Sequence, residues 1–172
     1  VVGSTGVAGL TLGGGIGHLT AQYGLTCDNL VGAELVTSDG AVVRASADDN
    51  AELLWGLRGG GGNFGVATRL EFRLHELGRI VGGSLKYGGD GVRVALRRFR
   101  DVAASAPHEL SCQAGLAVDE SLAPTLSIFP CYTGSDDDTE ELAALRAVPG
   151  LVEDAVRPLT YFDQQNLFNS TY

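Results

Sequence analysis

Basic residues are in the minority in this chain of 172 residues: 12 Lys and Arg stand against 21 Asp and Glu, a formal charge of −9. That balance argues against nucleic acid or an anionic membrane surface as a partner. It leaves an anionic cofactor open, because backbone N–H groups hold a phosphate without basic side chains. No apolar run reaches the length of a membrane span. Cysteine is scarce. Cys27, Cys112 and Cys131 are far apart, with no Cys-x-x-Cys pair, and their odd number argues for a reducing, cytoplasmic setting over a disulfide framework. The histidines His18, His75 and His108 are scattered, so no metal site is expected. Position 1 is not Met, and no charged segment precedes an apolar one, so no signal peptide is expected; Val1-Val2-Gly3 reads as a cut end.

What the chain does have is glycine. Sixteen of its 25 glycines fall in the first 65 residues, whereas all five prolines lie after residue 106, which points to two regions with different backbone needs. Hydrophobic residues make up 44% and charged residues 19%, as in a globular chain rather than a disordered one.

The densest cluster, Gly6-Val7-Ala8-Gly9-Leu10-Thr11-Leu12-Gly13-Gly14-Gly15-Ile16-Gly17, predicts a loop-rich segment where the backbone closely approaches something. A short helix is expected over 16–23, closed by Gly24. Residues 33–37 and 41–45 read as a hairpin joined through Ser38-Asp39-Gly40. Ser46-Ala47-Asp48-Asp49 caps a helix whose stripe is Ala51, Leu54, Trp55 and Leu57, with Trp55 filling the helix–sheet interface and Gly59 ending the helix. From Phe64 to Leu74 apolar and polar residues alternate, as in a half-buried strand.

Around residues 78–81 a second unit begins. A strand over 80–87, a turn at Gly88-Gly89-Asp90 and a helix over 92–104 are expected, the helix with Val92, Leu96, Phe99, Val102 and Ala103 on one face. Strands over 110–118 and 125–133 follow, then a helix capped by Ser135-Asp136-Asp137-Asp138-Thr139 and running to Arg146. This is an α+β layer with its sheet covered on one face and no closing strand. No internal repeat is evident.

The dinucleotide fingerprint is the first test for the glycines. Gly60-x-Gly62-x-x-Gly65 matches G-x-G-x-x-G letter for letter, but a helix precedes it and a strand follows, the reverse of a Rossmann site. Gly13-x-Gly15 fails as well, since His18 stands where the third glycine is required. No G-x-x-x-x-G-K-[ST] run occurs, which excludes a P-loop. A run of backbone amides almost free of side chains remains, fit to meet a flat ring or a diphosphate at contact distance.

Three segments carry a resemblance. The run from Gly6 to Gly17, Tyr23-Gly24-Leu25-Thr26-Cys27-Asp28-Asn29-Leu30, and Leu57-Arg58-Gly59-Gly60-Gly61-Gly62-Asn63-Phe64-Gly65-Val66-Ala67-Thr68 resemble consecutive motifs of berberine-bridge-enzyme-like oxidoreductases, in the vanillyl-alcohol oxidase and p-cresol methylhydroxylase (PCMH) superfamily. The match is specific over 1–77 and weaker over 78–172, where it rests on the order of elements and on Leu159-Thr160-Tyr161. It implies an α+β fold: the second subdomain of a PCMH-type FAD-binding domain over 1–77, then a partial substrate domain of antiparallel sheet plus helices over 78–172.

The resemblance implies an FAD-linked oxidase or dehydrogenase that moves a hydride from a small organic substrate to flavin, with O2 as a possible acceptor. Thr5, Gly6, Val7, Ala8, Gly9 and Leu10, with Gly13, Gly14, Gly15, Ile16 and Gly17, would pass along the pyrophosphate and flavin. Asn29 and Leu30 would lie toward the adenine or ribose, and Gly65 and Val66 would support the pocket. Tyr161 and Gln164 or Gln165 would face substrate. Val2 falls where some members carry a cysteine that bonds FAD, so that bond is not expected, and no catalytic residue is assigned. His18 reads as a packed or solvent-facing histidine, Cys27 as a small core residue, Asp136–Asp138 as a cap and solvated face, and Asn169-Ser170-Thr171 as a chance sequon. Two alternatives stay open: a non-catalytic remnant, or a flavin reductase of another branch of the superfamily with a nicotinamide donor.

Overall fold

The computed structural model describes residues 3–134 and 139–169. The chain divides into two compact units, Val1–Glu76 and Leu77–Tyr172.

In the first unit a helix, α1 (Val7–Leu12), forms inside the segment expected to be loop. The reason is placement: Gly9 is the single glycine within it, while Gly6 and Gly13 stand at its two ends. Thr11 Oγ1 donates to the Val7 carbonyl at 2.7 Å and tightens the turn. The helix expected over 16–23 is shortened to α2 (Thr20–Tyr23), because the Gly17 N–H is capped by Thr20 Oγ1 at 2.8 Å. Gly24 follows with φ +75°, and an added Cβ would lie 2.7 Å from Asp28 Oδ2.

A 3-10 turn (Thr26–Asn29) leads into β1 (Leu30–Val36), which pairs antiparallel with β2 (Val42–Ser46) on one side and β3 (Val66–Phe72) on the other. Helix α3 (Ala51–Leu57) closes one face of this three-stranded sheet. Leu30, Ala33, Leu35, Ala45, Leu54 and Leu57 form the core, with Leu12, Leu53, Leu70 and Phe72 packed against it. Each fully buried leucine is worth ~1.5–3 kcal/mol of transfer free energy. Trp55 does not fill the interface: it is 75% exposed. Leu53, Leu54 and Leu57 define the inward stripe, and at about 100° per residue Trp55 falls on the opposite side of the helix. β3 buries less than its alternation implies, since Val66 and Leu74 are 70% and 88% exposed.

The second unit is a sheet with helices on one face. The strand expected over 80–87 appears as β4 (Ile80–Gly82) and β5 (Leu85–Gly88). Both lie along β7 (Pro124–Tyr132) in a single register, with Val81 opposite Tyr132 and Leu85 opposite Ile128. The break falls at Gly83 (φ +129°), where a Cβ would meet the Ala155 carbonyl at 2.3 Å. β6 (Leu110–Val118) pairs along the other edge of β7. β8 (Leu151–Asp154) and β9 (Arg157–Leu159), which sequence reading left out, pair with β5 and β4 and close the layer.

Helices α4 (Gly91–Ser105) and α5 (Glu140–Arg146) cover one face of this sheet, over Val81, Leu85, Tyr87, Leu126, Ile128 and Tyr132. The inward stripe of α4 is Val92, Ala95, Phe99 and Val102, while Leu96 is 39% exposed and Ala103 is exposed. Leu96 sits one position round the helix from Ala95, off the stripe. Thr139 Oγ1 accepts from the Leu142 N–H at 3.2 Å and caps α5. The proposed cap residues 135–138, Val2, and Ser170 and Thr171 of the sequon lie outside the described residues. Tyr87 Oη, fully buried, donates to the Leu145 carbonyl at 3.0 Å and ties α5 to the sheet. Helix α6 (Tyr161–Gln165), capped by Thr160, lies against the sheet at Pro130, to whose carbonyl Gln164 donates.

Leu54→Ala removes a core side chain and is expected to destabilise the first unit by ~2–5 kcal/mol in urea unfolding, whereas Trp55→Ala stays within about 0.5 kcal/mol. Equal losses would return Trp55 to the interface.

Candidate functional site

The glycine run builds an open cleft of about 550 Å³ lined by Thr5, Gly9, Leu10, Gly13, Gly15 and Ile16. Thr5 comes from the turn before α1, and the others from α1 and the loop after it. The loop is stitched in place by backbone: the Thr26 N–H donates to the Gly15 carbonyl and the Cys27 N–H to the Gly14 carbonyl, both at 2.9 Å. Gly15, at φ +83°, has no room for a side chain, since a Cβ would lie 2.6 Å from Thr26 Oγ1.

The other glycines divide by cause. Gly14 needs its positive φ of 109°. Gly6, Gly9 and Gly17 need neither a special φ nor a close neighbour; a Cβ on any of them meets nothing within 4 Å. Inside α1, Gly9 costs ~0.5–1 kcal/mol relative to alanine. Among the described residues, nothing occupies the space where its side chain would be. Leu10 and the exposed Ile16, 64% accessible, give the cleft an apolar wall.

The second glycine motif lies beside the first. A 3-10 turn (Gly61–Phe64) packs against α1. The Phe64 ring fills the space above Gly56 and Gly60, where Cβ atoms would approach it to 2.8 and 2.7 Å. Gly65, at φ +143°, lies so near the Val36 carbonyl that a Cβ would reach it at 2.5 Å, while Val66 points out. With α3 before the motif and β3 after it, no helix starts there for a pyrophosphate.

Asn29 and Leu30 are engaged elsewhere. Asn29 Nδ2 donates to the Tyr23 and Leu25 carbonyls at 2.9 and 3.0 Å, and its Oδ1 lies 2.7 Å from His75 Nε2. His75 stacks on Tyr23 with ring centroids 4.1 Å apart. Leu30 is fully buried in the core, and its carbonyl accepts from Arg58 Nε and Nη2 at 3.1 and 2.6 Å. Arg58 and His75 are thus structural members of the constellation that sequence reading passed over. Arg58 stood inside a quoted motif, but only the fold reveals its target. Cys27 is buried, and burial raises its thiol pKa.

In the second unit the sheet face away from α4 and α5 carries Gln113, Ser127 and Lys86 beside Phe129, Cys131 and Gly82. Tyr161 and Gln165, half-buried on α6, border this face, whereas Gln164 is fully buried. Burial pushes the Cys112 and Cys131 thiols up to about 12, which leaves both unreactive. Among the described residues, no cluster of His, Cys, Asp and Glu is arranged to hold a metal, and no helix is long and apolar enough to cross a membrane.

Residues 1–46 match the FAD binding domain family. The chain is 36% identical over 160 residues to the (R)-6-hydroxynicotine oxidase of Paenarthrobacter nicotinovorans, covering 91% of this chain and 35% of that protein. The solved structure of 6-hydroxy-D-nicotine oxidase from Arthrobacter nicotinovorans superposes with a TM-score of 0.86 and 34% identity, over 93% of this chain and 36% of the other. BBE-like 1 of Physcomitrella patens superposes with a TM-score of 0.70 and 25% identity, over 90% and 33%. The chain belongs to the berberine-bridge-enzyme-like FAD-linked oxidoreductases. It spans about a third of the length of these relatives.

The open glycine surface has room for a ligand and is flanked by the apolar side chains of Leu10 and Ile16. His18, four residues from Gly14, is no part of that surface. It is fully buried, and burial lowers its pKa to about 4. The unfolded imidazole, at 6.5, takes up a proton that the folded one refuses. Between those values the unfolded state binds more protons, so stability falls as pH is lowered, by about 2–4 kcal/mol in total. His18→Gln is expected to flatten that fall in urea midpoints measured between pH 6.5 and 4. An unchanged slope would show that the buried imidazole does not carry it.

Proposed function

We propose that the protein of which this chain forms part is an FAD-dependent oxidoreductase that takes a hydride from a small organic substrate, with O2 as the electron acceptor. In this reading residues 1–77 are the C-terminal part of the PCMH-type flavin domain, and 78–172 are part of the substrate domain. The observation that carries it is the set Gly6, Gly9 and Gly17: glycines whose missing side chains open on unfilled space in a unit that matches an FAD binding domain.

Thr5 to Leu10 and Gly13 to Gly17 would hold the cofactor through backbone groups. Leu10 and Ile16 would supply apolar contact, and Gly65 and Val66 would back the pocket through the turn beside α1. Asn29 and Leu30 act in this scheme by holding the loop and β1 in place, their side chains being committed internally. Tyr161 and Gln165 would border the substrate. FAD, when bound, supplies the two-electron chemistry, and the chain's part is to bind, orient and exclude water. Backbone donors suit this task because they are held rigidly and add no competing charge.

The test is the visible spectrum of the intact protein after desalting. Wild type is expected to retain flavin absorbance. Gly9→Val, which meets nothing in the fold but fills the cleft, is expected to lose most of it with far-UV circular dichroism unchanged. In the flavin-free chain Gly9→Ala is expected to raise stability by ~0.5–1 kcal/mol while weakening flavin retention. Full retention by Gly9→Val would remove the cleft as the flavin site.

A further inference from the structure

Gln164 is a polar side chain with no solvent exposure. Its Nε2 donates to the Pro130 carbonyl at 3.1 Å, while its Oε1 has no hydrogen-bond partner. That oxygen occupies the place of the side chain Gly82 lacks: a Cβ on Gly82 would lie 2.3 Å from it. An unpaired buried carbonyl carries a desolvation penalty, so the packing at this point holds it against a cost. Gly82 has no φ in the left-handed region, and the nearest atom to its added Cβ outside Gln164 is the Pro130 carbonyl oxygen at 3.3 Å. Room for Gln164 is the main demand for glycine at this position.

The neighbours make the contact consequential. Gly82 is the register partner of Cys131. Cys131 is 1% exposed and lies one residue from Pro130 on β7. Tyr161 stands one turn before Gln164 on α6, and its phenol pKa is raised by burial and by Cys131. The sheet position that pairs with Cys131 thus receives Gln164, and Tyr161 lies on the same side of the short helix. The helix is only Tyr161–Gln165, too short to hold its own position.

We infer that Gln164 is a positioning residue, and that its seat in the socket left by Gly82, closed by the bond to the Pro130 carbonyl, sets the position of α6 against the Gly82–Cys131 register pair. The carbonyl is without a partner because the fit is steric. A shorter side chain would not reach Pro130, and any side chain at residue 82 would lift the helix. The device is independent of what the protein binds.

The test is alkylation of Cys131 by iodoacetamide in the intact protein, mapped by peptide mass. Gly82→Ala is expected to speed labelling of Cys131 about tenfold, with the far-UV spectrum retained. Gln164→Met, which keeps the volume but drops the bond to Pro130, is expected to speed it about threefold. The double variant Gly82→Ala/Gln164→Ser should be better protected than Gly82→Ala alone, because the shorter side chain vacates the socket. The tyrosinate band assigned by its loss in Tyr161→Phe should titrate at lower pH in Gly82→Ala. Unchanged labelling in both single variants, or no rescue in the double, would overturn the lock. Loss or retention of turnover in Tyr161→Phe bears on the substrate reading alone, so the two can fail separately.

Discussion

The first unit depends on a close approach of backbone to backbone, where the Thr26 and Cys27 amides reach the Gly15 and Gly14 carbonyls. Only glycine permits it, since any Cβ at Gly15 would strike Thr26. The stitch ties the loop after α1 to the turn that launches β1. The strand then carries Leu30 into the core, where Arg58 grips its carbonyl from the end of α3. The cleft, the turn and the sheet therefore share one frame. Asn29 extends it by bridging the Tyr23 and Leu25 carbonyls to His75. A ligand at the cleft would meet a surface already organised before binding, which limits the entropy lost on association.

The second unit solves a different problem. β7 runs through its centre, with β6 along one edge and the broken pair β4 and β5, in a single register, along the other. Gly83 absorbs the break because the Ala155 carbonyl occupies the space of its missing side chain. Helices seal one face with an ordinary apolar core. The other face carries Gln113, Ser127 and Lys86 beside Phe129 and Cys131, and α6 packs on it through Gln164 at Gly82.

The places where sequence reasoning fell short have physical causes. Glycine density predicts loop across 6–17, but density does not decide a helix; the position of each glycine does, and Gly6 and Gly13 fall at the ends of α1. Trp55 was drawn into the stripe because tryptophan is large and apolar, whereas the helix turns it outward. Leu96 was misplaced for the same reason. β8 and β9 are too short for period-2 alternation to announce them. Gln164 and Gln165 are adjacent and chemically identical in sequence. Only packing against Gly82 assigns one to the interior and leaves the other half exposed.

By itself, the sequence determined the hairpin at Asp39-Gly40, the long alternating strands, the helix over residues 92–104 and the family carried by three consecutive glycine motifs. All of these rest on local chemistry: turn residues, period, and backbone freedom at specified spacing. The tertiary structure alone decided which glycines are spacers and which are openings. The distinction lies in what sits opposite a missing Cβ: Thr26 for Gly15, a phenylalanine ring for Gly60, Gln164 for Gly82, and nothing for Gly9. The partner of Gly82 comes from a distant part of the chain, and the ring over Gly60 reaches it only through the fold of the turn, so a one-dimensional pattern holds no record of either.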